Sequence, residues 1–354
     1  MDFDTSNIRL DSIVSCIPEN ISYFDDEIKN YSQNSKSSMK LKKTMGYSEH
    51  RVCINQTTVS DMSADALNTL FKINKLKKTE IDLLILVTQT PDNFIPATSS
   101  QIHGSLNLNK KCLCIDVNEG CSGFIKALSI AATFAKTKQA KKIVIIAGDI
   151  LSRRTSKHDR NSYPLIGDAV SACLFSRIKS EENSLFGNIM HDGSGSDAIM
   201  IPAGGLREMY DNSTSVMKTD QEGNARSSEH LVMKGRDVFT FTQFVVVPYL
   251  QEFLKKTLKY KTKRLFIHQA NDFIISKIRN KLNLNQKELP SNVILKYGNS
   301  SSSTIPLAIV DSSLNDGPIG KYIAVSGFGV GLSWGCAILR TNIKAKFKIL
   351  EGNY

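Results

Sequence analysis

Short aliphatic runs alternate with longer amphipathic stretches along most of the chain, the pattern of α/β architecture. IDLLILVTQT (81–90), KCLCIDVN (111–118) and KKIVIIAGD (141–149) read as buried strands. Between the last two, Ser122 to Lys138 places Phe124, Ile125, Leu128, Ile130, Ala131 and Phe134 at helical spacing, giving one wide buried face. RLFIHQA (264–270), NVILKYGN (292–299) and KYIAVSGFG (321–329) repeat the strand pattern in the second half. An internal echo accompanies it. KKIVIIAGD precedes SACLFSR (171–177), and KYIAVSGFG precedes WGCAILR (334–340), again a Cys-containing strand ending in Arg. The spacing predicts a duplicated α/β unit in one compact body, with halves at 1–180 and 181–354. Residues 190–230 are rich in Gly, Ser, Asn and Asp and predict loops. The first forty residues carry little signal.

Composition narrows the class. With 41% hydrophobic and 22% charged residues, 21 Gly and 9 Pro, the 354-residue chain is neither disordered nor collagen-like. No stretch reaches the ~18 apolar residues of a membrane span, and MDFDTSNIRL lacks a secretory leader's basic and apolar regions. A cytoplasmic protein without membrane attachment is expected. Seven cysteines, none in a CxxC pair, predict neither a disulfide framework nor a metal site. The +11 net charge is scattered over Lys40–Lys43, Lys75–Lys78, Lys136–Lys142 and Lys255–Arg264 without a nucleic-acid motif. It predicts a solvated surface, or a face for an acidic protein partner, rather than a nucleic-acid site.

Three residues stand where chemistry is feasible. Cys121 follows a strand and a DVNEG turn and precedes the amphipathic helix. There it faces unpaired N–H groups and the positive end of the helix dipole, which favour thiolate. Gly120 and Gly123 flank it. His268 ends an apolar run, a common active-site position in α/β folds. Asn299 ends another run before Ser300–Thr304. Each also fits a bland reading: a small packed Cys, a satisfied core His, a turn Asn. GFGVG (327–331) is a glycine turn without the helix of a dinucleotide site.

Taken together, DVNEGCSGF, IGDAVSACLF, HQAN, YGNSSSSTIPLA and SGFGVGLSWG occur in the order and spacing of ketoacyl-ACP synthase III. The chain resembles this family of thiolase-fold condensing enzymes from about Gly46 to Arg340. His268 lies 147 residues after Cys121, and Asn299 lies 31 after His268. DGSGSDAIMIPAGGLR (192–207) resembles the branch tied to surface-polysaccharide or specialised acyl pathways. The resemblance implies a thiolase-like fold, a layered α-β-α-β-α body of two βαβαβ-type halves, the first with the nucleophilic Cys and the second with His and Asn.

It also implies roles. Cys121 would accept an acyl group from a thioester. His268 and Asn299 would hold the malonyl-ACP carbonyl oxygen as decarboxylation makes it an enolate. The carbanion would attack acyl-Cys121 to give 3-oxoacyl-ACP, with backbone N–H groups of Cys121 and Val330 as the oxyanion hole. No metal or redox cofactor is implied; acyl-ACP or acyl-CoA and malonyl-ACP are the substrates. The implied partners are acyl carrier protein and a second copy of the chain. In the homodimer, Phe94 or Ile95 at the tip of TQTPDNFIP would line the partner's acyl pocket.

Departures refine this. The family's Trp and Arg, which sandwich the coenzyme A adenine, are replaced by MKLKKTMGYSEHR, and the single Trp is Trp334. This predicts a carrier-borne donor. The helix after HQAN has Asp272 and Phe273 where a carrier-contacting Arg is usual. A helix at Val245–Lys259, with Lys255, Lys256 and Lys259, is the expected docking face. Glu119 stands where a small residue is usual, as a base or a helix cap. Two alternatives remain: a non-decarboxylating acyltransferase acting on a hydroxyl or amine, and a catalytically silent paralogue. Retention of Cys121, His268 and Asn299 weighs against the silent copy.

Overall fold

A computed structural model describes residues 1–31, 35–179 and 184–354. Ten strands form the main sheet system: β1 (Asp2–Asp4), β2 (Ile8–Pro18), β3 (Leu83–Val87), β4 (Leu113–Val117), β5 (Lys142–Asp149), β6 (Ala169–Arg177), β7 (Phe186–His191), β8 (Leu265–Ile267), β9 (Tyr322–Gly329) and β10 (Ser333–Gly352). The helices that matter for the site are α1 (Ser35–Met45), α2 (Val59–Asn74), α3 (Thr98–Ser105), α4 (Gly123–Lys136), α5 (Gly235–Phe241), α6 (Val247–Thr257), α7 (Asp272–Leu282) and α8 (Thr304–Asn315).

The duplication read from the sequence is visible in the strand order. In the first half, β3 is parallel to β5, β5 antiparallel to β6, and β6 antiparallel to β2. In the second half, β8 is parallel to β9, β9 antiparallel to β10, and β10 antiparallel to β7. KKIVIIAGD and SACLFSR therefore form one antiparallel pair, and KYIAVSGFG and WGCAILR form its counterpart. β10 then continues past Arg340, shifts register before Lys346 and runs parallel to β2 as far as Gly352.

Three apolar clusters fill the gaps between layers. α2 and α3 cover one face of the first sheet through Leu67, Leu70 and Ile102. α4 and α8 lie between the sheets, burying Phe124, Leu128, Ile305 and Ile309. α6 and α7 cover the far face of the second sheet through Leu250, Phe253 and Ile275. This is the α-β-α-β-α layering that the resemblance implied. The aliphatic runs of β3 and β5 suit it, since sheets covered on both faces need continuous apolar runs.

Three local expectations are corrected. NVILKYGN is not a strand: Asn292–Lys296 is a short helix, and Gly298 turns the chain at φ +80. The predicted helix at Val245–Lys259 starts earlier. A π turn at Thr242–Val246 joins α5 to α6, and Leu258–Tyr260 winds as 3-10 helix. The unread N-terminus supplies β2, an 11-residue strand at the junction of the two sheets.

Candidate active site

β4 delivers the chain to a turn at Asn118–Ser122, after which α4 begins at Gly123 with Ser122 as its N-cap. Cys121 therefore precedes the helix proper by one turn residue. Burial pushes its thiol up to about 12. The backbone N–H groups of Val330 and of Cys121 itself pull the other way, so both face the sulfur. Gly329 makes that approach feasible. A Cβ there would sit 2.8 Å from Cys121 Sγ, and the residue's φ is +156. Only glycine takes both the conformation and the space. The expected oxyanion donors, Cys121 N and Val330 N, are thus brought together.

His268 follows β8, its N–H donating to Ser326 O at 2.8 Å. Its Nδ1 lies 2.8 Å from Thr304 Oγ1, at the start of α8, and its ring meets Phe328 edge-on at 5.7 Å. Burial pushes its pKa down to about 3, so the imidazole is neutral. Asn299 is fixed at both ends of its amide. Oδ1 accepts from Ser301 N at 2.9 Å, and Nδ2 donates to Ala270 O at 3.4 Å, two residues beyond His268. Ser301 holds φ +54, a left-handed conformation costly for serine and concentrated at functional sites. Cys121, Asn299 and Val330 line a cavity of about 290 Å³, with Leu165, Ile199 and Leu231 as apolar wall; His268 is not part of that wall and connects to it through the bond between Ala270 O and the Asn299 amide. The cavity walls include residues 199–201, from the stretch that read only as loop, and Leu231 and Met233 just beyond it.

Several functional groups had no sequence signal. Thr304 and Phe328 orient His268, and Ser301 orients Asn299. Asp149, at the end of β5, accepts from Gln89 N at 2.6 Å and Thr88 Oγ1 at 3.0 Å, fixing the chain behind the nucleophile turn. Burial lifts its pKa to about 6.

Other predicted residues lie elsewhere. Phe94 and Ile95 are 85% and 86% exposed. Phe94 borders an adjoining cavity with Arg153 and Tyr210, which shares Gln89, Asn118 and Ile201 with the first. Lys255, Lys256 and Lys259 sit beyond the far end of α7. Gln251 Nε2 donates to Lys281 O at that end, whereas Asn271 caps the end beside the site. Eleven residues of helix put about 16 Å between them. Lys256 also pairs with Glu252 at 2.6 Å. Glu119 does not cap α4: no N–H of the helix donates to it, and its carboxylate binds Ser333 and Lys126 instead.

Comparison with known proteins agrees with this geometry. Residues 115–193 match the family model 3-oxoacyl-[acyl-carrier-protein (ACP)] synthase III, and 258–341 match its C-terminal model. A Campylobacter jejuni protein with the provisional name 3-oxoacyl-[acyl-carrier-protein] synthase 3 is 32% identical over 339 residues, 94% of this chain and 93% of that one. The chain belongs to the 3-oxoacyl-ACP synthase III family. A beta-ketoacyl-[acyl-carrier-protein] synthase III of Clostridium perfringens is 30% identical over 85% of this chain and 90% of its own. Among solved structures, a 3-oxoacyl-(acyl-carrier protein) synthase of Burkholderia xenovorans superposes with TM-score 0.89 at 28% identity, covering 99% of both chains. The family's fold is thiolase-like, and its members are condensing acyltransferases. Within it, this chain places Cys121 and Asn299 on the wall of one pocket, with Ala270, two residues after His268, bonded to the Asn299 amide. No described helix is long and apolar enough to cross a membrane.

Proposed function

We propose that the chain makes 3-oxoacyl-ACP by decarboxylative condensation, and that Cys121, His268 and Asn299 carry the reaction. One observation supports it most: Cys121, Val330 and Asn299 line the same cavity, with Gly329 packed against Cys121 Sγ. In the first half-reaction Cys121 sulfur attacks an acyl thioester. The carbonyl oxygen takes negative charge and is held by the N–H groups of Cys121 and Val330. The donor thiol leaves with the cysteine proton, giving acyl-Cys121. In the second, malonyl-ACP loses carbon dioxide. The electron pair moves onto its thioester oxygen, held by His268 and Asn299, and its carbon then attacks acyl-Cys121; the tetrahedral oxyanion collapses with cleavage of the C–S bond, releasing 3-oxoacyl-ACP and a Cys121 thiolate that takes a proton from water. The neutral His268, in the tautomer that leaves its N–H on Nε2, donates a hydrogen bond without a full positive charge, which suits an oxygen whose charge is transient. The reaction uses no cofactor. Condensation favours this reading over plain acyl transfer, because transfer alone leaves His268 and Asn299 without a task.

The same proposal divides the chain near residue 180, with Cys121 in the 1–180 half and His268 and Asn299 in the 181–354 half, working in the cytoplasm. It takes a second copy as partner. β4 is the last strand in the sheet order and exposes Leu113, and the apolar tip of Phe94 and Ile95 stands in solvent. Ultracentrifugation is expected to give twice the 39.2 kDa chain mass. A monomer at micromolar concentration would contradict the shared pocket.

Carrier protein is the proposed donor as well as acceptor. The segment that replaces the adenine platform folds as α1, presenting Lys40 and Lys43 to solvent, and Gly46 behind it abuts Asp272 of α7. Lys255, Lys256 and Lys259, remote from the pocket, would act by long-range attraction. Loss of base stacking lowers coenzyme A affinity about ten- to a hundredfold. Acylation by acyl-ACP is therefore expected to outrun acylation by matched acyl-CoA, and to slow as salt screens charges beyond ~10 Å at 0.1 M. Equal rates with no salt effect would count against carrier delivery.

A further inference from the structure

Glu119 is a carboxylate that the reaction does not use. It is 8% exposed, two residues before the nucleophile, and its charge is among the influences that raise Cys121. A buried anion that opposes the thiolate persists only if it does something else. Its contacts say what. Oε1 accepts from Ser333 Oγ at 2.8 Å, and Ser122 Oγ donates in turn to Ser333 Oγ at 2.5 Å, lying 3.4 Å from Oε1. Oε2 pairs with Lys126 on α4, and His191 Nε2 at the end of β7 lies 3.9 Å away. Neither oxygen meets Cys121 Sγ, so a base role has no geometry.

The partner that matters is Ser333. It opens β10 immediately after the Val330–Leu332 turn, and its hydroxyl also lies 2.7 Å from Val330 O. A hydroxyl has one hydrogen, and a charged acceptor holds it better than a carbonyl. Glu119 therefore takes the Ser333 hydrogen and ties the glycine turn to the nucleophile turn. Those two turns carry the two N–H groups that face Cys121 Sγ. We propose that Glu119, acting through Ser333, is a positioning residue that sets the spacing of the oxyanion hole. The proposal rests on the reading of Cys121 N and Val330 N as oxyanion donors, and it replaces both a base and a helix cap as the role of Glu119.

An oxyanion forms at Cys121 during acylation but not during malonyl decarboxylation, which uses His268 and Asn299. The test separates these steps in the full-length enzyme. Single-turnover acylation is followed by intact mass and decarboxylation by carbon dioxide release, for the parent, Glu119→Ala, Glu119→Gln, Ser333→Ala and the Glu119→Ala/Ser333→Ala double variant. Glu119→Ala is expected to slow acylation about tenfold, less than the 10²–10³ of deleting a donor outright. Donor KM should stay within twofold, because the oxyanion exists only in the transition state. Decarboxylation should change by less than twofold. Glu119→Gln, whose amide oxygen still accepts from Ser333, should recover part of the rate. The double variant should be no slower than the slower single one, since both break one link. Parental acylation in Glu119→Ala, additive losses, or an equal fall in decarboxylation would overturn the proposal. A parent enzyme that never acylates at Cys121 would instead sink the functional reading and this proposal with it.

Discussion

Cys121→Ala leaves no acyl-enzyme after incubation with an acyl thioester donor, a loss of at least ~10³-fold, whereas Cys112→Ala and Cys173→Ala acylate like the parent. The contrast is electrostatic and geometric. Cys173 is fully buried in β6, and burial alone raises its thiol. Cys112 is also buried, outside the pocket. Only Cys121 combines a pocket wall with two N–H groups at its sulfur. Its acidity adds a second readout. With the thiol pushed up to about 12, thiolate is scarce at neutral pH and grows about tenfold per pH unit. Iodoacetamide labelling of Cys121 should follow that slope from pH 7 to 10 without a plateau. Cys114, lowered by a hydrogen bond with Cys112, should label sooner. Labelling must therefore be resolved by site. An acyl group found on another cysteine, or still present in Cys121→Ala, overturns the assignment.

His268→Ala and Asn299→Ala keep the first half-reaction and lose the second. Each removes one donor to the developing enolate oxygen, so decarboxylation should fall about 10²–10³-fold, while single-turnover acylation stays near the parent rate. The two effects should not add fully, because the Asn299 amide is braced against Ala270 in the His268 turn. Decarboxylation should also be insensitive to pH between about 5 and 8 as far as His268 is concerned, since its pKa of about 3 keeps it neutral throughout. Carbon dioxide release at the parent rate in either variant would favour a plain acyltransferase.

Much of this was legible because the chain spells its central strands as unbroken apolar runs and its site as strand ends. Cys121 and His268 follow β4 and β8, where a sheet residue can face a pocket. What escaped was polar residues doing apolar work. β2 buries Asp11, Ser12 and Ser15, which broke its hydrophobic pattern. Ser12 donates to Lys346 O at 2.8 Å, and Ser15 meets Ser171 at 2.7 Å, partners that no local pattern reveals. Asn299 was found although its flanking segment is helix rather than strand, because the motif is carried by order in the chain. Ser301 and Glu119 were opaque for a deeper reason. One is defined by a backbone angle and the other by a residue more than two hundred positions away.

β10 has a mechanical consequence. Its first residues bond to β9 and β7 of one half, and its tail is zipped along β2 of the other as far as Gly352. Any hinge motion between the halves would have to shear that strand lengthwise, breaking a ladder of backbone hydrogen bonds together. The proposed catalytic groups come from both halves, so their mutual distances would be held by the same rivet. In the proposed reaction, substrate is expected to enter and leave past wall residues such as Ile199, Met200, Leu231 and Met233, with the frame around Cys121, His268 and Asn299 standing still.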